Sequence, residues 1–205
     1  MKNNGQSTVY NWHYITVSLI FTVAILLCVL YLPLTKDFDS GMLQAVRANL
    51  SWFPQVIPAI LGEFGRYHFL WPLIASCGIL VSHKYYIPAF LLVFFTQGAY
   101  VLTDFIKNIV CRQRPCGNAY PGYSFPSGHS LIAMCFFGIL IYLVYRHVSG
   151  FWKYFYITIL GLLIILTGLS RLYLGVHFPT DVLAGLLIGF ILVNLYIILD
   201  KFFAK

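Results

Sequence analysis

The chain has 205 residues, 60% of them hydrophobic and only 9% charged, with a formal net charge of +7. Soluble domains carry about 25% charged residues, so this composition cannot cover a globule with polar surface, and lipid must be the solvent for most of it. The positive charges are scattered over short connections, which argues against nucleic acid as a partner.

Six apolar stretches are long enough, or nearly so, to cross a hydrocarbon core as helix, which takes roughly 20 residues. The first, Tyr14–Leu34, is too long for the apolar region of a cleavable signal and no A-x-A-like site follows it, so a retained span is expected. A long connection, Thr35–Arg66, comes next. Leu43, Val46 and Leu50 share one helical face there, and Gln44, Arg47 and Ser51 another. Trp52, Phe53, Val56, Ile57 and Ile60 follow, broken by Pro54 and Pro58. This segment is expected to lie in the membrane interface; a plain packed loop is the alternative. The spans Tyr67–Ser82 (the shortest) and Tyr86–Ile106 precede a second long connection, Lys107–Pro126, dense in Arg, Pro and Gly. Ser127–Tyr145, Tyr154–Leu174 and Pro179–Leu199 complete the set. The links His83–Tyr85, Arg146–Lys153 and Gly175–Phe178 are short enough to make neighbouring helices antiparallel. Trp12, Tyr14, Tyr85, Tyr86, Trp152 and Tyr154 form the aromatic belt of a membrane protein. The expected fold is all-α: one domain, residues 1–205, an integral membrane bundle of six transmembrane helices with an interfacial amphipathic segment between helices 1 and 2.

With six crossings the termini share a face with Lys2, Lys84, Arg146, Lys153, Lys201 and Lys205, against Lys36, Arg47, Arg66, Lys107, Arg112, Arg114 and Arg171 on the other. Setting aside Lys107, Arg114 and Arg171, which belong to the cluster below, leaves an excess on the terminal face. This weakly favours termini inside and the cluster facing the periplasm or outside. Cys28, Cys77 and Cys135 read as buried small hydrophobes. Cys111 and Cys116 flank an outer loop, where a disulfide is open to them if that side is oxidising.

Ionisable residues in or beside membrane helices are costly and therefore functional candidates. Here they collect at the outer ends of helices three to six: Asp104, Lys107, Arg112 and Arg114, then His129, then Arg171, then His177 and Asp181. Lys107, Arg114 and Arg171, if gathered, would repel one another unless an anion sat between them, and a guanidinium fork matches phosphate oxygens. Ser127 is placed to cap the fourth helix, whose free N–H groups and partial positive charge also suit an anion, and Gly128 allows close approach to the backbone. Pro179 fits the first position of the sixth helix, with Asp181 in its first turn and able to reach back to His177. A carboxylate holding one imidazole nitrogen as N–H leaves the other free as a nucleophile, with His129 as the complementary acid. His129, His177 and Asp181 could ligate zinc by type, but three converging cations oppose a divalent ion, so no metal and no cofactor are expected. Arg112 is assigned an assisting place in the phosphate region and Asp104 pairing with a nearby cation; His13, His83 and His147 read as solvated at the inner interface, and His68, at the outer start of the second span, reads as an incidental histidine, with substrate contact the alternative.

Lys107-x6-Arg114-Pro115, Pro126-Ser127-Gly128-His129 and Ser170-Arg171-x5-His177-x3-Asp181 resemble the three signature motifs of the type 2 phosphatidic acid phosphatase superfamily, in order and with its spacing. The resemblance implies that Lys107, Arg114, Ser127, Gly128, Ser170 and Arg171 bind phosphate, that His177 is the nucleophile, Asp181 its partner and His129 the acid, without a metal. It implies a membrane enzyme that dephosphorylates a lipid phosphate or diphosphate through a phosphohistidine. Undecaprenyl diphosphate ranks first among the substrates, with phosphatidylglycerol phosphate and phosphatidic acid beside it. A lipid A phosphatase, a phosphotransferase, or a non-catalytic carrier of phosphate-bearing ligands are the competing readings. The oligomeric state is left open.

Overall fold

A computed structural model of the chain describes residues 16, 17, 20, 23, 32–49, 54, 56, 58, 60 and 69–203. Among them the ordered elements are helical: α1 Leu32–Asn49, α2 Leu70–Ser82, α3 Tyr86–Val110, α4 Gly128–His147, α5 Phe151–Tyr173 and α6 Pro179–Phe203, with a short 3-10 turn at Gly117–Ala119. Four of these, α3 to α6, are long and apolar enough to cross a membrane, and α2 is a shorter apolar helix. The expected span Tyr14–Leu34 falls largely outside the described residues, as do Tyr67 and His68.

Local signals set the boundaries. α3 follows Lys84, which takes a positive φ of 64°, and runs on past the expected Ile106 until Cys111 turns left-handed at φ 51°. Lys107 therefore stands on the last turn of a helix and not in the loop, which fixes its direction. α5 starts after Gly150 and is followed by Gly175, both at positive φ. Pro179 opens α6, where its missing N–H costs nothing.

α4 is the axis of the bundle. It buries side chains on every face and touches α3, α5 and α6. By contrast α3 is two-faced: Leu91, Leu92, Phe95 and Ala99 point inward, while Phe90, Phe94, Val101, Phe105 and Ile109 remain exposed as a continuous apolar face for lipid. α1 packs on α5 and α6. The apolar face anticipated for it is covered by protein: Leu43 is buried against Leu172 and Val182, with Val46 beside them.

α4 and α6 run in the same direction at very close range. A Cβ on Gly185 would stand 2.5 Å from the Ser127 carbonyl oxygen, one on Gly189 2.6 Å from that of Leu131, and one on Gly138 2.7 Å from Val193 Cγ2. Gly185 and Gly189 form the small-x-x-x-small spacing by which membrane helices bring their backbones together. At the far end, Asp200 of α6 takes hydrogen bonds from Tyr142 (2.8 Å) and Arg146 of α4. Gly185→Val should lower stability by about 2 kcal/mol or more through overpacking. Gly98→Ala, where an added Cβ meets nothing within 4 Å, should be near neutral. Thermal unfolding in detergent checks the pair, and equal melting temperatures would contradict the close crossing.

Candidate active site

The C-terminal ends of α3 and α5 and the N-terminal ends of α4 and α6 meet at the candidate site, with residues 111–127 laid across them. Phe125 is fully buried beside Ala184, Ile106 and Val110 and pins this connection to the bundle. The Ser124 N–H donates to the Arg112 carbonyl at 2.7 Å, and the Ser127 N–H to the Asp181 carbonyl at 3.0 Å. The second bond joins the start of α4 to the start of α6, so two helix N-termini, each carrying partial positive charge, open side by side.

His177 and Asp181 are both buried. His177 Nδ1 lies 3.7 Å from Asp181 Oδ2. The same carboxylate oxygen accepts from the Ser124 hydroxyl and, at 2.8 Å, from the Phe178 N–H. On the other side of the ring, Arg114 Nη1 donates to His177 Nε2 at 3.2 Å. Arginine has no lone pair to offer, so Nε2 is the acceptor and the ring proton belongs on Nδ1, facing Asp181. Burial holds the His177 pKa below its ordinary value; Asp181 opposes this, while Arg114 and Lys107 add to it. The imidazole is therefore neutral at neutral pH.

Arg114 is fixed by two further bonds, from Nε to the Gly122 carbonyl (3.1 Å) and from Nη1 to that of Val176 (3.0 Å). Lys107 Nζ comes within 3.9 Å of where a Gly128 Cβ would stand, and Thr103 Cγ2 within 3.0 Å, so a side chain at 128 would crowd the mouth of α4. Arg171 is buried at the end of α5; its Nε donates to Ser170 Oγ (3.0 Å) and its Nη2 to the Pro58 carbonyl (3.2 Å). Ser170 in turn donates to the Thr167 carbonyl at 2.6 Å. His129 is the second residue of α4 and half-buried. Lys107, Arg114, His177 and Asp181 thus share one place, with Ser127 and Gly128 at its edge.

Several expectations need correction. Ser127 occupies the N-cap position, but its hydroxyl pairs with that of Ser130 at 2.9 Å and makes no side-chain cap bond. Arg112, expected to assist the phosphate region, is turned to two buried acids, donating to Asp181 Oδ1 (2.7 Å) and Asp39 Oδ2 (2.6 Å). Asp104, expected beside a cation, needs none: it is exposed and lies within the field of Lys107. Cys111 and Cys116 are free thiols, and Cys111 Sγ donates to the Asn108 carbonyl at 3.1 Å. Ser124 and Asp39 went unread as site residues. A serine three positions ahead of Ser127 was a faint signal for the first; an acid on an amphipathic helix gave none for the second.

Ser124→Ala removes one donor from Asp181 without disturbing the charges. Turnover should fall roughly tenfold, about 1.4 kcal/mol, with KM little changed. Wild-type kcat in that variant would show that the serine is dispensable.

Residues 88–203 match the PAP2 superfamily. The chain is 33% identical over 190 residues to phosphatidylglycerophosphatase B of Bacillus subtilis, covering 87% of this chain and 91% of that protein. It is 31% identical over 139 residues to an undecaprenyl-diphosphatase of Sulfolobus acidocaldarius, covering 63% and 62%. Among solved structures, a transmembrane PAP2-type phosphatidylglycerolphosphate phosphatase from Bacillus subtilis shares the fold with a TM-score of 0.77 at 24% identity, covering 92% of this chain and 96% of that one. Aquifex aeolicus LpxE does so with a TM-score of 0.63, covering 78% and 94%. With the motif residues gathered at one end of an apolar helical bundle and this match over more than half its length, the chain belongs to the PAP2 superfamily, as an integral membrane member of it.

Proposed function

We propose that this membrane phosphatase hydrolyses a lipid phosphate or diphosphate through a phosphohistidine on His177. The observation that carries the reading is the orientation of that ring: Nδ1 is turned toward Asp181, while Nε2 faces Arg114. An incoming phosphate takes over the guanidinium, which frees the Nε2 lone pair. Nε2 attacks phosphorus, the bond from phosphorus to the lipid-side oxygen breaks, and His129 gives that oxygen a proton. His129 then takes a proton from water, the water oxygen attacks phosphorus, and the nitrogen–phosphorus bond breaks to release inorganic phosphate. Lys107, Arg114 and Arg171, with the Gly128 amide and the Ser127 and Ser170 hydroxyls, hold the anion whose charge grows in the transition state. The basic surroundings disfavour a divalent ion, so the reaction is read as metal-independent.

We rank phosphatidylglycerol phosphate beside undecaprenyl diphosphate, ahead of phosphatidic acid, a reading that the match to the Bacillus subtilis protein over 91% of its length supports. Six crossings, with α1 at the outer interface and the site toward the periplasm or outside, complete the reading. The charge bias and the exposed apolar faces support it.

A panel of these lipids in detergent, with released phosphate measured, tests the substrate class. His177→Ala should abolish release while the protein stays folded, and retained turnover would defeat the mechanism. Orthovanadate should inhibit and a chelator should not. Because burial lowers the His177 pKa, kcat/KM should rise with pH along a limb below the ordinary imidazole value of about 6.5. It should fall again as His129 loses its proton. A limb well above that value would contradict a neutral, desolvated nucleophile.

A further inference from the structure

We propose that Asp39 and Arg112 are positioning residues for the reaction: with Asp181 they form one balanced charge set that tunes the proton affinity and orientation of His177. The inference rests on the reading of His177 as nucleophile and extends it to α1, a helix outside the signature motifs.

The set is closed on every side. Arg112 Nη1 donates to Asp181 Oδ1 and to Thr180 Oγ1, both at 2.7 Å, and Nη2 donates to Asp39 Oδ2 at 2.6 Å. Its guanidinium lies over the Phe178 ring, 4.2 Å from the centroid. Asp39, buried on α1, accepts the Thr180 N–H at 3.1 Å and the Thr180 hydroxyl at 2.6 Å. An acid from a distant helix thereby anchors the first turn of α6, the turn that carries Asp181. Leu43, one helical turn further along α1, packs on Leu172 and Val182 and holds Asp39 in register.

The charges explain why two acids are needed. Asp181 orients His177 only while its carboxylate acts as a negative neighbour. A lone guanidinium against Asp181 in so buried a place would cancel most of that field. Asp39 offsets Arg112, so the three groups together present one net negative charge to the imidazole. Among the described residues, the other groups facing His177 are Arg114 and Ser124 of the 111–127 connection and Lys107 of α3. His129 of α4 and Arg171 of α5 stand at the ends of their helices on the same side. On α1 itself the Arg47 guanidinium approaches Gly175, with Nη1 3.2 Å from where a Cβ would stand. None of these changes in the variants below.

The charge set makes opposite predictions for its two members. Asp39→Asn removes the offsetting charge, so His177 holds its proton less tightly and the acidic limb of kcat/KM moves to lower pH. Arg112→Gln exposes two acids, and the limb moves to higher pH. Shifts of roughly half a unit are expected for charges one residue removed from the ring. The double variant D39N/R112Q restores the net charge and should return the limb to its wild-type position. In the single variants kcat should fall about tenfold with KM within about twofold.

The experiment is the pH profile of full-length wild type, the three variants and His177→Ala, on phosphatidylglycerol phosphate in detergent micelles. Opposite shifts with restoration in the double variant support the inference. Shifts in one direction, or coincident limbs, overturn it while leaving the nucleophile intact, provided His177→Ala is inactive. Turnover by His177→Ala overturns the reading beneath it. If D39N does not fold, R112Q and the double variant decide. An upward shift that the second charge removal reverses supports the proposal, and any other order overturns it.

Discussion

The close crossing of α4 and α6 is the constraint on which the rest of the molecule depends. Two helices running the same way leave no room for a side chain at Gly185 or Gly189, and the Ser127 N–H reaches the Asp181 carbonyl at 3.0 Å. In lipid, association has no hydrophobic drive between helices, so such contact must come from packing and from polar bonds. The crossing brings two N-terminal helix ends to one level, each with motif residues on it: Gly128 and His129 on α4, Asp181 on α6. The Asp200 bonds to Tyr142 and Arg146 close the same pair of helices at the other end of the bundle.

Around that frame the site is organised by charge. Buried ions are tolerated only when paired and hydrogen-bonded, and the acids lie on one side of the His177 ring with Arg112 between them, opposite Arg114. Asp181, Arg112 and Asp39 occupy the Nδ1 side in a closed network; Arg114 stands on the Nε2 side with Lys107 in range. The acidic side has its bonds satisfied within the protein, so it is rigid. That division accounts for how a ring with lowered proton affinity can sit next to a carboxylate: burial and the two cations outweigh it.

The helical bundle was legible from apolar run length, because a chain in lipid must satisfy its backbone within each segment. The boundaries shifted by a few residues where turn geometry decided, as at Cys111, which carried Lys107 from the loop onto α3. The motif positions were legible because each is a short local pattern tied to a helix end. The acid partners of Arg112 were illegible for a physical reason. An arginine two residues from Arg114 looks identical in the sequence, yet the two point to opposite sides of the site. Ser124 and Asp39 escaped because their importance comes from partners far along the chain.

By itself the sequence determined the membrane habit, the order of the helices and the cluster of basic, imidazole and carboxylate groups at their ends, since these follow from composition and local periodicity. Tertiary structure alone decided which arginine meets the His177 ring and which meets the two buried acids. Arg112 finds Asp181 across 69 residues and Asp39 across 73, and no local pattern encodes pairings at that separation. They arise only where packed helices remove water and leave each buried charge the partners within reach.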